Sequence, residues 1–226
     1  MAAPSRSLWE KRINGKVKRI TIGKYGSITP ERAWYKDKRR TGHVKPHELK
    51  QWFQATKELQ NTVSRDFLQF LVFIGLRKNE ALILRWTDID FKAKTLTVQD
   101  TKNSDTHTLP LTDFLLALLK ERKREIESEW VFPGPNPEFH LKEPRAAAER
   151  VEELSKVEFT LHDLRRTFIT IAESLDLPAY ALKRFANHRF TDITASYIIS
   201  DVERLRRPMT QTSESILAQI SQKDTK

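Results

Sequence analysis

The segment Phe67-Leu68-Gln69-Phe70-Leu71-Val72-Phe73-Ile74 constrains the fold of this chain more than any other. It is apolar almost all round, so as a helix it has no face for water and must sit at the centre of a packed domain. Gly75 ends it, and Arg77-Lys78-Asn79-Glu80-Ala81-Leu82-Ile83-Leu84 restarts as a second helix with Leu82 facing the core. A buried helix needs neighbours, and the sequence has them on both sides. Pro46-His47-Glu48-Leu49 opens a helix carrying Trp52 and Phe53, while Thr112 to about Glu127 is amphipathic with Phe114, Leu115, Leu118 and Leu119 inward. Further helices are predicted over 144–154, 161–175, 178–186 and 192–199, the last carrying Tyr197. Asn187 suits a left-handed cap after the third of these. After Pro208 a final amphipathic helix over 210–221 holds Ile216, Leu217 and Ile220. The one convincing β-region here is Thr95-Leu96-Thr97-Val98, the turn Lys102-Asn103-Ser104-Asp105, and a return strand from Thr106 to Leu109. The expected class is therefore α+β, mainly α, with a small antiparallel sheet at one side.

Composition removes several classes of function. Hydrophobic residues make up 38% and charged residues 31%, the balance of a globular protein with a real core. No apolar run approaches the roughly 18–20 residues of a membrane span, and the N-terminus lacks a signal-peptide core. Cysteine is absent, which excludes disulfides, thiolate zinc sites and cysteine nucleophiles. A cytoplasmic location, with no membrane partner, is the expectation. His43 and His47 are four apart, but Pro46 between them opposes the helix that would align them as metal ligands. With no HExxH motif either, no metal and no other cofactor is expected.

The net charge of +10 is unevenly spread: residues 1–45 hold 13 Lys and Arg against 3 acids, and residues 46–226 hold 27 of each. Such a concentrated basic segment reads as a polyanion-binding arm, most simply for nucleic acid, or else as a solvated basic tail. Within it, residues 7–22 predict a β-hairpin about the tight-turn pair Asn14-Gly15, with Ile20 and Ile22 on the face opposite Arg19. Thr29-Pro30-Glu31 then starts a short helix, and the linker over 35–46 carries Lys38, Arg39 and Arg40. A ribbon bearing Lys16, Lys18 and Arg19 can enter a major groove or follow phosphates. A hairpin and one helix have too little core to be stable alone.

The chemistry concentrates in Thr160-Leu161-His162-Asp163-Leu164-Arg165-Arg166-Thr167-Phe168. Thr160 and Asp163 form a helix-start signal, and His162 and Arg165, three apart, share one helix face. An imidazole beside a guanidinium suits a phosphate, although surface neighbours of these types are common. Three other stretches hold similar residues at element boundaries: Gly75-Leu76-Arg77-Lys78-Asn79-Glu80, the hairpin Thr101-Lys102-Asn103, and Asn187-His188 followed nine positions later by Tyr197. Taken singly, Lys102 is comfortable in any turn, His188 could satisfy helix carbonyls, and Tyr197 could be a core aromatic.

In this order the stretches resemble the tyrosine recombinase (phage integrase) family, over roughly residues 45–205, and most closely integrases of the satellite-phage and genomic-island type. The resemblance implies Tyr197 as nucleophile, Arg77 and Arg165 as clamps on the scissile phosphate, and His162 and His188 as donors to its non-bridging oxygens. It makes Lys102 the acid that protonates the departing 5′-oxygen and Glu80 a brace. The implied partner is double-stranded DNA, cut and rejoined through a 3′-phosphotyrosyl ester, with self-association through the C-terminal helix. Physical chemistry agrees: attack on a phosphodiester builds about two negative charges at a pentacoordinate centre, which positioned cations stabilise. The same cations favour ionisation of a phenol whose ordinary pKa is about 10.

The family's usual Leu-Gly-His reads Ala186-Asn187-His188 here, and Asn tolerates the left-handed conformation second best after Gly. Residues 1–34 resemble part of an arm-type DNA-binding segment, 35–46 a basic linker, 47–207 the catalytic domain, and 208–226 a tail helix able to pack in trans. Relatives carry a helical core-binding domain between arm and catalytic part, whereas only Tyr35 to Val44 separate them here. Weak, strongly salt-dependent DNA binding is expected from the lost phosphate contacts. A non-catalytic DNA-binding or regulatory protein, or a type IB topoisomerase-like relaxing activity, are the alternative readings.

Overall fold

The computed structural model describes residues 7–13, 16–22, 42–99, 106–125, 127–187 and 202–222. They fall into two compact units, 1–41 and 42–226. In the first, β1 (Ser7–Ile13) and β2 (Lys16–Ile22) pair antiparallel, from Ser7 opposite Ile22 to Ile13 opposite Lys16. That register leaves two residues between the strands, the length of a tight hairpin turn. Asn14, Gly15, the helix expected after Thr29, and Lys38, Arg39 and Arg40 lie outside the described residues.

The second unit is built round the apolar segment. A 3₁₀ turn at Pro46–Glu48 leads into α1 (Leu49–Lys57), followed by α2 (Thr62–Ile74). The Asn61 side chain caps α2 by accepting from Ser64 N at 2.9 Å. Gly75 closes it at φ +70°, a left-handed conformation that glycine adopts without strain. Between the caps, every residue from Phe67 to Ile74 is buried. Phe73 stacks on Phe114, and Phe67 and Phe70 both meet Phe132. The helix is inward all round because α4 (Asp113–Glu125) and α6 (Leu161–Glu173) both pack on it.

The remaining elements surround this core. They are α3 (Lys78–Leu82), the strands β3 (Ile89–Asp90), β4 (Thr95–Val98) and β5 (His107–Pro110), α5 (Arg145–Ser155), α7 (Ala179–Phe185) and α8 (Glu203–Ser221). The strands form one antiparallel sheet in the order β3-β4-β5, with Leu96 opposite both Ile89 and Leu109 and Val98 opposite His107. Leu96, Val98 and Leu109 are buried, while Thr97 and Thr108 join their hydroxyls at 3.0 Å across the other face. The two-residue strand β3 extends the predicted β-region.

One expectation is corrected. The last helix does not start after Pro208 but at Glu203, with Pro208 inside it. An internal proline removes a backbone hydrogen bond and costs about 3 kcal/mol. Burial of Leu205, Pro208, Met209, Ile216 and Ile220 against α1, α6 and β5 offsets that. No described helix is long and apolar enough to cross a membrane.

Candidate active site

Three helix ends meet where α2 stops. The first is the start of α6, where Thr160 and Asp163 make the reciprocal box that the sequence predicts. Thr160 N donates to Asp163 Oδ2 at 2.8 Å, and Asp163 N donates to Thr160 Oγ1 at 3.3 Å. Arg166 Nη1 donates to Asp163 Oδ1 at 2.8 Å, so the carboxylate fixes both the helix start and a flanking cation. His162 and Arg165 are thereby set on the first two turns. His162 is exposed; partial desolvation and then Arg166 and Arg165 hold its pKa below the ordinary value. An imidazole here faces solvent with cations behind it.

Arg165 is buried, and its guanidinium bridges the other helix ends. Nη1 donates to Gly75 O, at the end of α2, and Nη2 to Ala186 O, at the end of α7, both at 2.6 Å. Helix C-terminal carbonyls carry partial negative charge, so they can hold a cation without neutralising it. Burial, then Arg77, pull Arg165 down to about 10, with Glu80 opposing; it stays charged at neutral pH.

Arg77 is the residue before α3. Its backbone N–H donates to Glu80 Oε2 at 3.0 Å and its Nη1 to Glu80 Oε1 at 2.8 Å. One buried carboxylate thus caps the helix and orients the guanidinium. Nη2 reaches Asn187 O at 3.4 Å. The structure therefore brings together Arg77, Glu80, His162 and Arg165 from two distant stretches of sequence. Lys102, His188 and Tyr197 lie outside the described residues. Lys16, Lys18 and Arg19 belong to β2 of the other unit.

The sequence pointed to neither the carbonyl role of Asn187 nor the presence of His107. Asn187 has φ +41°, the left-handed cap anticipated for it, but its carbonyl and that of Ala186 also serve the arginines. His107, opposite Val98, is buried, and its Nε2 has no hydrogen-bond partner among the described residues. Burial lowers it to about 4; Glu80 opposes this, and Arg165, Arg184 and Arg77 reinforce it. Its inward position on a strand shared with Leu109 was the available signal. Among the described residues no group of three or more His, Asp or Glu side chains could hold a metal ion.

Chemically, the site holds two oriented guanidiniums, with the exposed imidazole of His162 within their field. A guanidinium has five N–H donors. Each arginine commits its two Nη groups to one protein acceptor apiece, so each keeps donors for a planar or tetrahedral anion.

Similarity to known proteins defines the fold and the family. The domain has the fold of tyrosine recombinase catalytic domains: a helical body with a small three-stranded antiparallel sheet. The profile of the phage integrase family matches residues 43–204, and the chain belongs to that family. It is 32% identical over 152 residues to prophage integrase IntF of Escherichia coli (strain K12), covering 65% of this chain and 32% of IntF. The chain thus spans about a third of that relative's length. An integrase from mycobacterium phage Brujita superposes with a TM-score of 0.60 at 20% identity, over 83% of this chain and 66% of that one. The XerH site-specific recombinase bound to difH substrate superposes at 0.56 and 21%, over 68% and 48%. The Tn1549 transposon integrase in complex with circular intermediate DNA does so at 0.60 and 16%, over 81% and 69%.

Proposed function

We propose that this chain carries the catalytic part of a site-specific DNA recombinase, cutting and rejoining duplex DNA through a 3′-phosphotyrosyl intermediate. The observation that carries this reading is the convergence of Arg77 and Arg165 on the single Ala186–Asn187 turn, with His162 beside them. The relatives described as bound to DNA support the same ligand class.

In this reading the arginines clamp the scissile phosphate, and His162 and His188 donate to its non-bridging oxygens. The Tyr197 phenol, its ionisation favoured by those cations, attacks phosphorus. The bond from Tyr197 to phosphorus forms as the bond to the 5′-oxygen breaks, and Lys102 gives that oxygen its proton. Glu80 braces Arg77. The phosphotyrosyl ester retains the energy of the broken bond, so a DNA 5′-hydroxyl reverses the step without ATP. Lys16, Lys18, Arg19, Lys38, Arg39 and Arg40 supply phosphate contacts outside the catalytic domain (47–207), from an arm-like segment (1–34) and a linker (35–46). Self-association through α8 belongs to the same reading. In the isolated chain the apolar face of α8 lies on α1, α6 and β5, so exchange between protomers requires it to lift away. The site of action in this reading is the nucleoid of a bacterial or phage-infected host, in the cytoplasm.

The test is covalent capture. Nicked suicide duplexes are selected from a randomised-core pool by their retention on the native chain under denaturing conditions. A protein–DNA adduct that Tyr197→Phe abolishes is expected. Binding of the duplexes under native conditions without any adduct returns the chain to a non-catalytic binding role. Joining of strands between two duplexes then distinguishes recombination from simple relaxation.

A further inference from the structure

The two arginines of the site share a support that no catalytic side chain provides. Ala186 and Asn187 are consecutive residues at the end of α7, and their carbonyls point to different guanidiniums: Ala186 O accepts from Arg165 Nη2 at 2.6 Å, Asn187 O from Arg77 Nη2 at 3.4 Å. Two adjacent carbonyls diverge in this way because the chain turns sharply there, with Ala186 at φ −77°, ψ 0° and Asn187 in the left-handed region at φ +41°. An extended or helical Asn187 would carry its carbonyl elsewhere. On the far side, Arg165 is anchored to Gly75 O, and a Cβ on Gly75 would collide with the Phe168 ring. Phe168 in turn meets Phe185 of α7, 5.4 Å between ring centres, so the ends of α2, α6 and α7 are packed as one support beneath the arginines.

We infer that the Ala186–Asn187 turn is a positioning device that sets the spacing of Arg77 and Arg165, with Asn187 as the residue whose left-handed conformation aims both carbonyls. The inference rests on the proposed DNA-cleavage function and names what tunes its phosphate clamp. The turn leaves each guanidinium with donors to spare, so it orients the pair without occupying it. Only Gly, Asn and Asp adopt this conformation readily, and a β-branched side chain resists it most. The device is therefore testable through backbone preference alone, because every substitution at 187 keeps the carbonyl itself.

Two readouts on the full chain separate this inference from the function it rests on. The first needs no DNA: rotation of the Arg165 guanidinium about its Cζ–N bonds, followed by ¹⁵N NMR and assigned by its loss in Arg165→Lys. Native protein and Asn187→Gly should show slow rotation, and Asn187→Val fast rotation. The second is the single-turnover rate of adduct formation with the selected nicked duplex. A misplacement of about 1 Å can cost about a hundredfold in rate. Asn187→Val should lose about that much while retaining DNA nearly as well, and Asn187→Gly should recover most of it. Equal guanidinium rotation in native protein and Asn187→Val overturns the positioning role, whether or not the valine variant melts lower. Equal cleavage by Asn187→Val and native protein overturns it too. If the native chain forms no adduct at all, the cleavage reading fails, and the rotation measurement still judges the turn.

Discussion

Two arginines are buried at opposite ends of α2, and they are held in opposite ways. Near its N-terminus, Arg122 donates from Nη1 to Asp66 Oδ2 at 2.8 Å and to Thr62 O at 3.3 Å, from Nε to Val131 O at 3.1 Å, and lies over the Phe132 ring. Burial pulls its pKa down, and the bond and charge of Asp66 restore part of the loss. At the C-terminus of the same helix, Arg165 rests on two carbonyls, and the nearest strong field is the like charge of Arg77. One guanidinium is neutralised within the fold. The other is held by dipoles, which fix its position and leave its charge for an incoming anion. Burial of an arginine therefore does not by itself distinguish a structural bolt from the phosphate clamp proposed for Arg165; the chemistry of its acceptors is what differs.

The sharpest way to break this comparison is at the bolt. Arg122→Ala leaves the Asp66 carboxylate in the interior with only Arg65 on its other oxygen. Removing one partner of a buried pair typically costs about 3–5 kcal/mol, and a surviving partner puts the expected loss at about 3. Urea denaturation measures it. Replacing the pair together, Arg122→Met with Asp66→Leu, should recover much of the loss, since no charge is then left buried alone. An Arg122→Ala variant as stable as the native chain would remove the distinction drawn above.

The clamp should respond in the other currency. Arg165→Lys keeps a positive charge, but a single ammonium cannot bridge two carbonyls and still offer a fork to phosphate. Loss of an oriented donor to a developing anion costs about 10²–10³ in rate. Adduct formation on the nicked duplex should fall by that amount, with a smaller loss of folding stability than Arg122→Ala shows. If stability falls as far as for Arg122→Ala and cleavage per folded molecule is kept, Arg165 is a second bolt.

What could be read in advance divides along the same line. His162 and Arg165 were set on one helix face by local rules, a capping box and a three-residue spacing, whereas Arg77 drew notice by lying near a helix start and Glu80 was named through the family resemblance alone. The apolar run of α2 announced its own burial. The Asp66–Arg122 pair was not legible, because Arg122 looks like one more cation in the basic last turns of α4 and only tertiary packing turns it inward. Pro208 misled for a related reason: the local rule starts a helix after a proline, whereas burial along α8 carries the helix through it. The carbonyls of Gly75, Ala186 and Asn187 were invisible as ligands, since every residue has one and only the fold chooses which will matter.

His107 offers the finest test, because it is a third group beside the clamp that could carry positive charge and does not. Burial and the charges of Arg165, Arg184 and Arg77 keep its folded pKa at about 4 against an ordinary 6.5, with Glu80 the opposing charge. A depressed histidine pKa means that the unfolded chain binds the proton first. The folded state is therefore unaffected above pH 6.5, loses stability as pH falls from 6.5 towards 4, and loses no more from this group below that. At about 1.36 kcal/mol per pKa unit the full effect is at most about 3 kcal/mol. Urea unfolding of the native chain and of His107→Gln, at steps from pH 7.5 to 4.5, reads it directly. The two curves should run parallel above pH 6.5 and converge below it, because only the native chain has this proton to reject. Curves that stay parallel to pH 4.5 would mean that neither burial nor the neighbouring arginines keep the proton off His107, and that the field left at Arg165 is weaker than its carbonyl ligands imply.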